Sequence, residues 1–460
     1  MSDQIERTLR SLERQLTGRV SRPGNDGYAA ATAIWAKPVG RMPRAVVHCR
    51  TTEDVQLSIG IARDCGLPLS VRGGGHDWAG RALCPGVVIG LSRMSGVVLD
   101  VDRSSAIISG SARATDVARV TDPLGLAAVT GSVGAVGMAG LTLGGGYGPL
   151  IGRCGLALDN LLAAEVVLAD GRVVVADDVN EAELFWALRG GGGNFGVVTA
   201  MHHRLHELAS VRSGVLVYPF CEARAILERC ADIAVSSPED LTFQLGCVGG
   251  PDGKPVVIVV PTWCGLPADS GARMAPFLKL GALLVGNLEA MSYGTSLTLF
   301  DPYLVNGQRV FMDTCWLPAL DSDTIDVFIQ AMETVVSPGC AIFTHEFKGA
   351  ASRVPEGATA FGLRRDHVLV EILAAFVDPS NEEEEQWHRQ WARTTRQAFA
   401  PMSLPGGYPN FLAGDDPDRV ARSYGPNADR LVKAKRQYDP DNVFCTAIPL
   451  PTAGAMGDVH

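Results

Sequence analysis

Residues 71–80 read VRGGGHDWAG, three bare glycines followed by an imidazole at His76. A neutral imidazole nitrogen is a competent nucleophile or ligand. Successive amides stripped of side chains form a concavity for an anion, with a pyrophosphate as the natural guest. Further glycine clusters lie at 131–148 and 190–196, so all of them fall in the first half of the chain. Tight turns at positive φ also use glycine, but this clustering argues for a ligand. The segment at 190–196 contains G-x-G-x-x-G, at Gly191, Gly193 and Gly196. That spacing marks a dinucleotide turn only after a strand and before a helix. Here EAELFWALR precedes as a helix and VVTAM follows as a strand, so the order is reversed and a Rossmann loop is rejected.

The elements that carry these loops follow from periodicity and punctuation. RAVVHCR (44–50) is β-branched and alternating, a strand. TTEDVQLSIGIARDCG reads as a helix, with Thr51 or Thr52 as N-cap, acids in the first turn and Gly66 past its end. LPLSVRGGG is then a strand running into the glycine loop, an α/β start. The stretches 86–94 and 96–112 read as strands with turns, ATDVARVTDPLG as a short helix, and 162–176 as a hairpin turning at Asp170-Gly171. Residues 126–148 are too glycine-rich for an ordinary helix or strand. From about 211 the composition changes. GVLVYPF, LTFQLGCVGG, PVVIVVPTWCG and HVLVEILAAFV read as strands of an antiparallel sheet, with helices such as 222–235 and 380–399. The tail PNADRLVKAKRQYDPDNVF is a basic helix stopped by Asp439-Pro440.

Composition narrows the class. A chain of 460 residues with 47% hydrophobic content can bury a large core. A formal net charge of -10 argues against nucleic acid or anionic membrane as a partner. The amphipathic start MSDQIERTLRSLERQL lacks the apolar run of a signal peptide, and no stretch is apolar enough to span a membrane, so a cytoplasmic chain is expected. The 11 cysteines are scattered, none in C-x-x-C, which argues against a disulfide framework or a zinc site. In HHRLH (202–206) alternation splits His202 and His206 from His203, so no metal is expected there.

The ordered set of motifs resembles a known family. PRAVVHCRTTEDVQLSIGIARDCGLPLSVRGGGHDWAG is similar to the start of the vanillyl-alcohol-oxidase-type FAD-binding flavoproteins. AGLTLGGGYGPLIGRCGLALDNLLAAEVVLADGRVV, ELFWALRGGGGNFGVVT and YDPDNVF resemble the berberine-bridge-enzyme-like branch, and within it the bacterial hydroxynicotine-oxidase-like members. The resemblance is strong over 28–208, clear over 405–445 and weak between. It implies an α+β fold: a two-part FAD-binding domain (1–208), a substrate-binding domain with an antiparallel sheet flanked by helices (209–404), and a C-terminal segment (405–460) returning to the first domain.

It also implies the site. His76 would carry FAD through a single 8α-histidyl bond, with Arg72, Gly73, Gly74, Gly75 and Asp77 around the pyrophosphate. Gly80, Gly137, Gly140, Gly144, Gly145, Tyr147 and Gly148 would contact the cofactor, as would Asp159, Asn160, Gly196, Val198, Tyr408 and Asn410. Some members add a cysteinyl bond; the matching position here is Val133, so none is expected, with Cys154 as the alternative tether. Tyr408 and Glu346 are the candidate catalytic bases, and Tyr293, His345 and Asn410 the candidate cavity residues. Relatives often have His-Arg where this chain has Leu363-Arg364, so the resemblance does not carry a relative's specific substrate over to this chain. The activity implied is oxidation of a C–O or C–N bond of a small organic molecule by hydride transfer to flavin N5, with O2 as acceptor. The substrate would be a secondary metabolite, an alkaloid-like amine or a sugar-type alcohol. A flavin dehydrogenase with poor O2 reactivity and a non-turnover flavin-binding protein are the alternatives. The chain would act as a monomer or homodimer.

Overall fold

Thr51 begins the first long helix by capping it. Its Oγ accepts the Asp54 amide and the Asp54 carboxylate accepts the Thr51 amide, a reciprocal box that starts helix Thr52–Asp64. Gly66 follows at φ +59. This crossover lays Ala45–His48, Val87–Gly90 and Leu69–Arg72 side by side as parallel strands. Val46, Val47, Val88 and Ile89 are fully buried, as a parallel sheet covered on both faces requires. The computed structural model describes residues 2–37, 40–250, 254–377 and 382–452, so Ser380 and Asn381, at the head of the helix expected over 380–399, lie outside it.

A second, antiparallel sheet is built around the long strand Val197–Glu207, which pairs with Ser105–Ser109, Leu161–Val167 and Leu126–Ala128. The hairpin closes at Asp170-Gly171, with Gly171 at φ +86. Residues 126–148 depart from expectation: a short strand, Leu126–Ala128, and a helix, Met138–Gly144, form there. Met138, Thr142 and Leu143 are buried, and the helix packs on Ala182–Gly191. Tertiary burial outweighs the poor helix propensity of its glycines.

The third sheet is antiparallel, with eight strands among the described residues. Leu241–Gly249, Gly339–Phe347 and His367–Phe376 lie side by side within it, and Arg309–Leu317 pairs with His367–Phe376 at its edge. Helix Ser322–Glu333 starts at an Asp321 cap and buries Ile325, Phe328, Ala331 and Met332 along one face. Helices Ala223–Ser236, Ser322–Glu333 and Glu382–Phe399 share one apolar cluster with one face of the sheet. Because side chains alternate along a strand, the opposite face presents Ala341, Phe343 and His345 together, and beside them Leu369, Glu371 and Leu373, towards a cavity. The architecture is α+β.

The chain then returns. Helix Ala428–Tyr438 packs on Ala182–Gly191, and Asp439 accepts the Val443 and Phe444 amides to turn the tail back into the core of the parallel sheet. A buried ion pair clasps the two halves: the Arg364 guanidinium donates to both Asp159 oxygens, at 3.0 and 2.9 Å. Removing one partner of such a pair leaves a buried charge with nothing opposite it. Asp159→Ala is expected to lower stability by about 3–5 kcal/mol, read as a fall in the urea midpoint. An unchanged midpoint would show that the clasp contributes nothing.

Candidate active site

The strand Leu69–Arg72 delivers Gly73–His76 to the rim of a cavity of about 690 Å³. A Cβ on Gly74 would lie 2.5 Å from Gly137 Cα, and one on Gly137 would lie 2.8 Å from Gly74 Cα. The two glycine loops therefore meet backbone to backbone. The amides of Gly74, Gly75 and His76 donate to no backbone carbonyl among the described residues. Gly192, Gly193, Gly196 and Val198 line the same end of the cavity, as does the returning tail at Thr446–Ile448. His76 stacks on Trp35, and burial, helped by the Arg113 charge, pushes its pKa down to about 4. The ring is therefore neutral at neutral pH.

The expected cofactor residues separate into two sets. Gly73, Gly74, Gly75, His76, Asp77, Gly137, Gly140, Tyr147, Gly196, Val198, Tyr408 and Asn410 line the cavity. Arg72, Gly80, Gly144, Gly145, Gly148, Asp159 and Asn160 do not. Arg72 turns back to the carbonyls of Ala31 and Ala33. Gly80, at φ +71, makes a turn held by Arg41. Gly144 and Gly145 make room for the side chains of Asn410 and Tyr408, and Gly148 packs on the Thr130 carbonyl. Asp159 is committed to Arg364, and Asn160 to the carbonyls of Cys154 and Leu156. Asp77 lines the cavity, yet its oxygens accept the amides of Ala79 and Ala82. Val133 also lines it, whereas Cys154 lies away from it, its thiol pushed up to about 11 by burial. His202, His203 and His206 take separate partners: Asp100, the Ala157 carbonyl and Asn160.

At the other end the returning segment meets the third sheet. The Tyr408 hydroxyl accepts the Gly146 amide at 3.0 Å and the Asn410 amide group at 2.9 Å. That leaves its own O–H as a donor. Burial pushes its pKa up to about 12, with the Glu371 charge acting the same way against those two bonds. A tyrosine base needs a cation beside it, and here a carboxylate stands nearby, so the surroundings leave the Tyr408 hydroxyl as a hydrogen-bond donor. The Asn410 carbonyl is held by Trp78 Nε1 at 2.9 Å and by Arg81 at 3.2 Å. These two residues follow His76 closely, so one loop fixes both ends of the site. Tyr147 sits edge-on to Tyr408, ring centroids 5.0 Å apart. It donates to His367 Nε2 at 2.7 Å, because His367 Nδ1 already donates to the Arg365 carbonyl.

Strand alternation corrects the expectation for Glu346. Its carboxylate lies on the far side from the cavity, accepting the Phe243 amide at 2.7 Å and pairing with Lys348 at 3.1 Å. The carboxylate that this sheet presents to the cavity is Glu371, which sequence reading missed. The signal was present: Glu371 is the charged residue within the otherwise apolar run VLVEILAAF. His345 does face the cavity. Gln244 Nε2 donates to His345 Nδ1 at 3.1 Å, which leaves Nε2–H to donate to Glu371 at 3.2 Å. This is a carboxylate oriented by an imidazole that is itself oriented, the geometry of a held general base. Tyr293 is not a wall residue; it is buried in the core, its hydroxyl 2.9 Å from Thr130 Oγ. Much of the remaining wall is apolar, with Val248, Ile258, Phe300, Met312, Phe343 and Leu373, beside the polar Ser132, Tyr303 and Gln308.

The chain is similar to known proteins over nearly its whole length. Residues 43–177 match an FAD binding domain, and residues 407–451 match the berberine and berberine-like domain. The chain is similar to (R)-6-hydroxynicotine oxidase of Paenarthrobacter nicotinovorans, 41% identical over 446 residues, covering 93% of this chain and 95% of that one. Its fold superposes on the crystal structure of 6-hydroxy-D-nicotine oxidase from Arthrobacter nicotinovorans with a TM-score of 0.82, at 27% identity in the structural alignment, covering 93% and 96% of the two chains. It superposes on the berberine-bridge-enzyme-like protein 1 of Physcomitrella patens with a TM-score of 0.86, at 22% identity over 96% of this chain and 99% of that one. The parallel-sheet cradle, the returning tail and the sequence identity over nearly the whole length agree: the chain belongs to the berberine-bridge-enzyme-like family of FAD-linked oxidoreductases.

Proposed function

We propose that the protein is an oxidase of small, largely apolar molecules that carry a hydroxyl or amine at the carbon to be oxidised, with FAD tethered through His76. The chain's own residues fit that cofactor. A Cβ at Gly74 or Gly137 would close the cradle, three loop amides await an acceptor, and a neutral imidazole stands at the rim. Bound FAD would supply the two-electron acceptor, taking a hydride at N5 and passing the electrons to O2 as hydrogen peroxide.

The observation that carries the substrate reading is the Gln244–His345–Glu371 chain set in an apolar wall. Glu371 takes the O–H or N–H proton while the bond at the neighbouring carbon breaks. His345 holds the carboxylate in place, and Tyr408 donates a hydrogen bond that fixes the polar end of the substrate. The apolar wall excludes water and binds the remainder. A sugar chain would leave most of its hydroxyls unpaired against Val248, Ile258 and Phe343, so an amine or alcohol on an apolar frame suits the cavity better. Among the described residues, no helix is long and apolar enough to cross a membrane.

Two experiments test this reading. Acid-precipitated wild-type protein should stay yellow and fluorescent, while His76→Ala should release its flavin. Flavin freed from the wild type would remove the tether, and a colourless wild type would remove the cofactor. Once a substrate is found by peroxide release, Glu371→Gln should lower kcat/KM about 10²–10⁴-fold. Tyr408→Phe should lower it about tenfold, the worth of one hydrogen bond. Equal activity in Glu371→Gln would remove Glu371 as the base.

A further inference from the structure

The glycines that admit a cofactor beside His76 also remove the side chains that would otherwise pack against its ring. Something outside the loop must hold the imidazole, and Trp35 is placed to do so. Its indole lies flat on the ring, centroids 4.6 Å apart and planes 8° from parallel. The segment carrying it is pinned from three sides. Arg72 donates to the carbonyls of Ala31 and Ala33, at 2.7 and 2.5 Å. The Trp35 amide donates to the Gly75 carbonyl at 2.9 Å and the Ala36 amide to the Asp77 carbonyl at 3.3 Å. From the segment before strand Arg309–Leu317, the Gly307 amide donates to the Trp35 carbonyl at 2.8 Å, and the Lys37 amide to the Gln308 carbonyl at 2.7 Å. Trp35 Nε1–H is buried with no acceptor among the described residues. The indole is therefore placed by its backbone and its face, not by a hydrogen bond of its own.

We propose that Trp35 is the positioning residue for flavin attachment: it fixes the plane of the His76 ring so that a ring nitrogen faces the flavin methyl carbon. The proposal rests on the covalent-FAD reading above. Attachment replaces one imidazole N–H bond and one methyl C–H bond by an N–C bond. Two protons and two electrons remain, and O2 takes them as hydrogen peroxide. Such a bond forms only from a close, aligned approach, and a misplacement of about 1 Å costs about a hundredfold in rate. A stacked ring can slide in its plane but cannot tip out of it. The bracket also ties the nucleophile to Gly307 and Gln308, so docking of the substrate-side segment and placement of His76 are coupled.

The test compares wild type with Trp35→Phe, Trp35→Leu and Trp35→Ala, each purified with its flavin and precipitated in acid. The readout is flavin kept on the chain divided by total flavin, which does not depend on turnover. Trp35→Phe, which keeps an aromatic face, should retain the wild-type ratio. Trp35→Leu and Trp35→Ala should fall on the order of tenfold or more, with total flavin per folded chain maintained. Trp35→Leu fills much of the same space and decides the matter if Trp35→Ala does not fold. A wild-type ratio in Trp35→Leu would overturn the proposal, as would an equal fall in Trp35→Phe. Flavin released from the wild type itself would instead overturn the tether on which the proposal rests.

Discussion

Gly74 and Gly137 touch with no side chain between them, and a Cβ on Gly74 would sit 2.5 Å from the opposing Cα. That approach lets two loops from separate parts of the fold share one wall. One loop is delivered by a parallel strand, whose hydrogen-bonded neighbours fix its direction. The other runs into the short helix Met138–Gly144, whose glycines let neighbouring groups approach closely. The same economy of side chains leaves amides directed at the cavity and an imidazole with no local support. Support comes from elsewhere: Trp35 stacks on the imidazole, Arg113 reaches the Gly74 carbonyl, and the tail from the far end of the chain lines the same cavity.

Burial sets the protonation of the site. His76 and His367 are pushed down to about 4 and about 3 by desolvation, and Tyr408 up to about 12. These groups stay neutral across the ordinary pH range and act as hydrogen-bonding surfaces. Charge in the cavity is held where it is paired or oriented. Asp77 and Arg81 are turned onto backbone amides and carbonyls, and Glu371 receives an imidazole N–H. The end of the cavity lined by the third sheet thus combines one oriented carboxylate with largely apolar side chains.

Two buried devices keep the halves in register. Arg364 and Asp159 form a bidentate pair across the boundary. Trp78 and Arg81 grip the Asn410 carbonyl, so the loop after His76 sets the position of the segment that carries Tyr408. The cofactor end and the substrate end of the cavity are therefore positioned by one stretch of about ten residues, 72–81, and errors in that stretch reach both.

Local signals determined a large part of this protein. The Thr51 cap, the Asp170-Gly171 turn and the VRGGGH loop are read from neighbouring residues, because caps, tight turns and strand-to-loop passages depend on a few bonds close in sequence. Motif order rejected a Rossmann loop for the same reason: it is a statement about which element precedes which. Only the tertiary structure decided which face of each strand meets the cavity. Glu346 and Glu371 are both carboxylates on strands, and register alone turns one outward to Lys348 and the other inward to His345. It also decided that Gly144 and Gly145 make room for Asn410 and Tyr408, and that Trp35 covers His76. Those contacts join residues far apart in the chain, and their geometry is set by packing between elements, which no local pattern encodes.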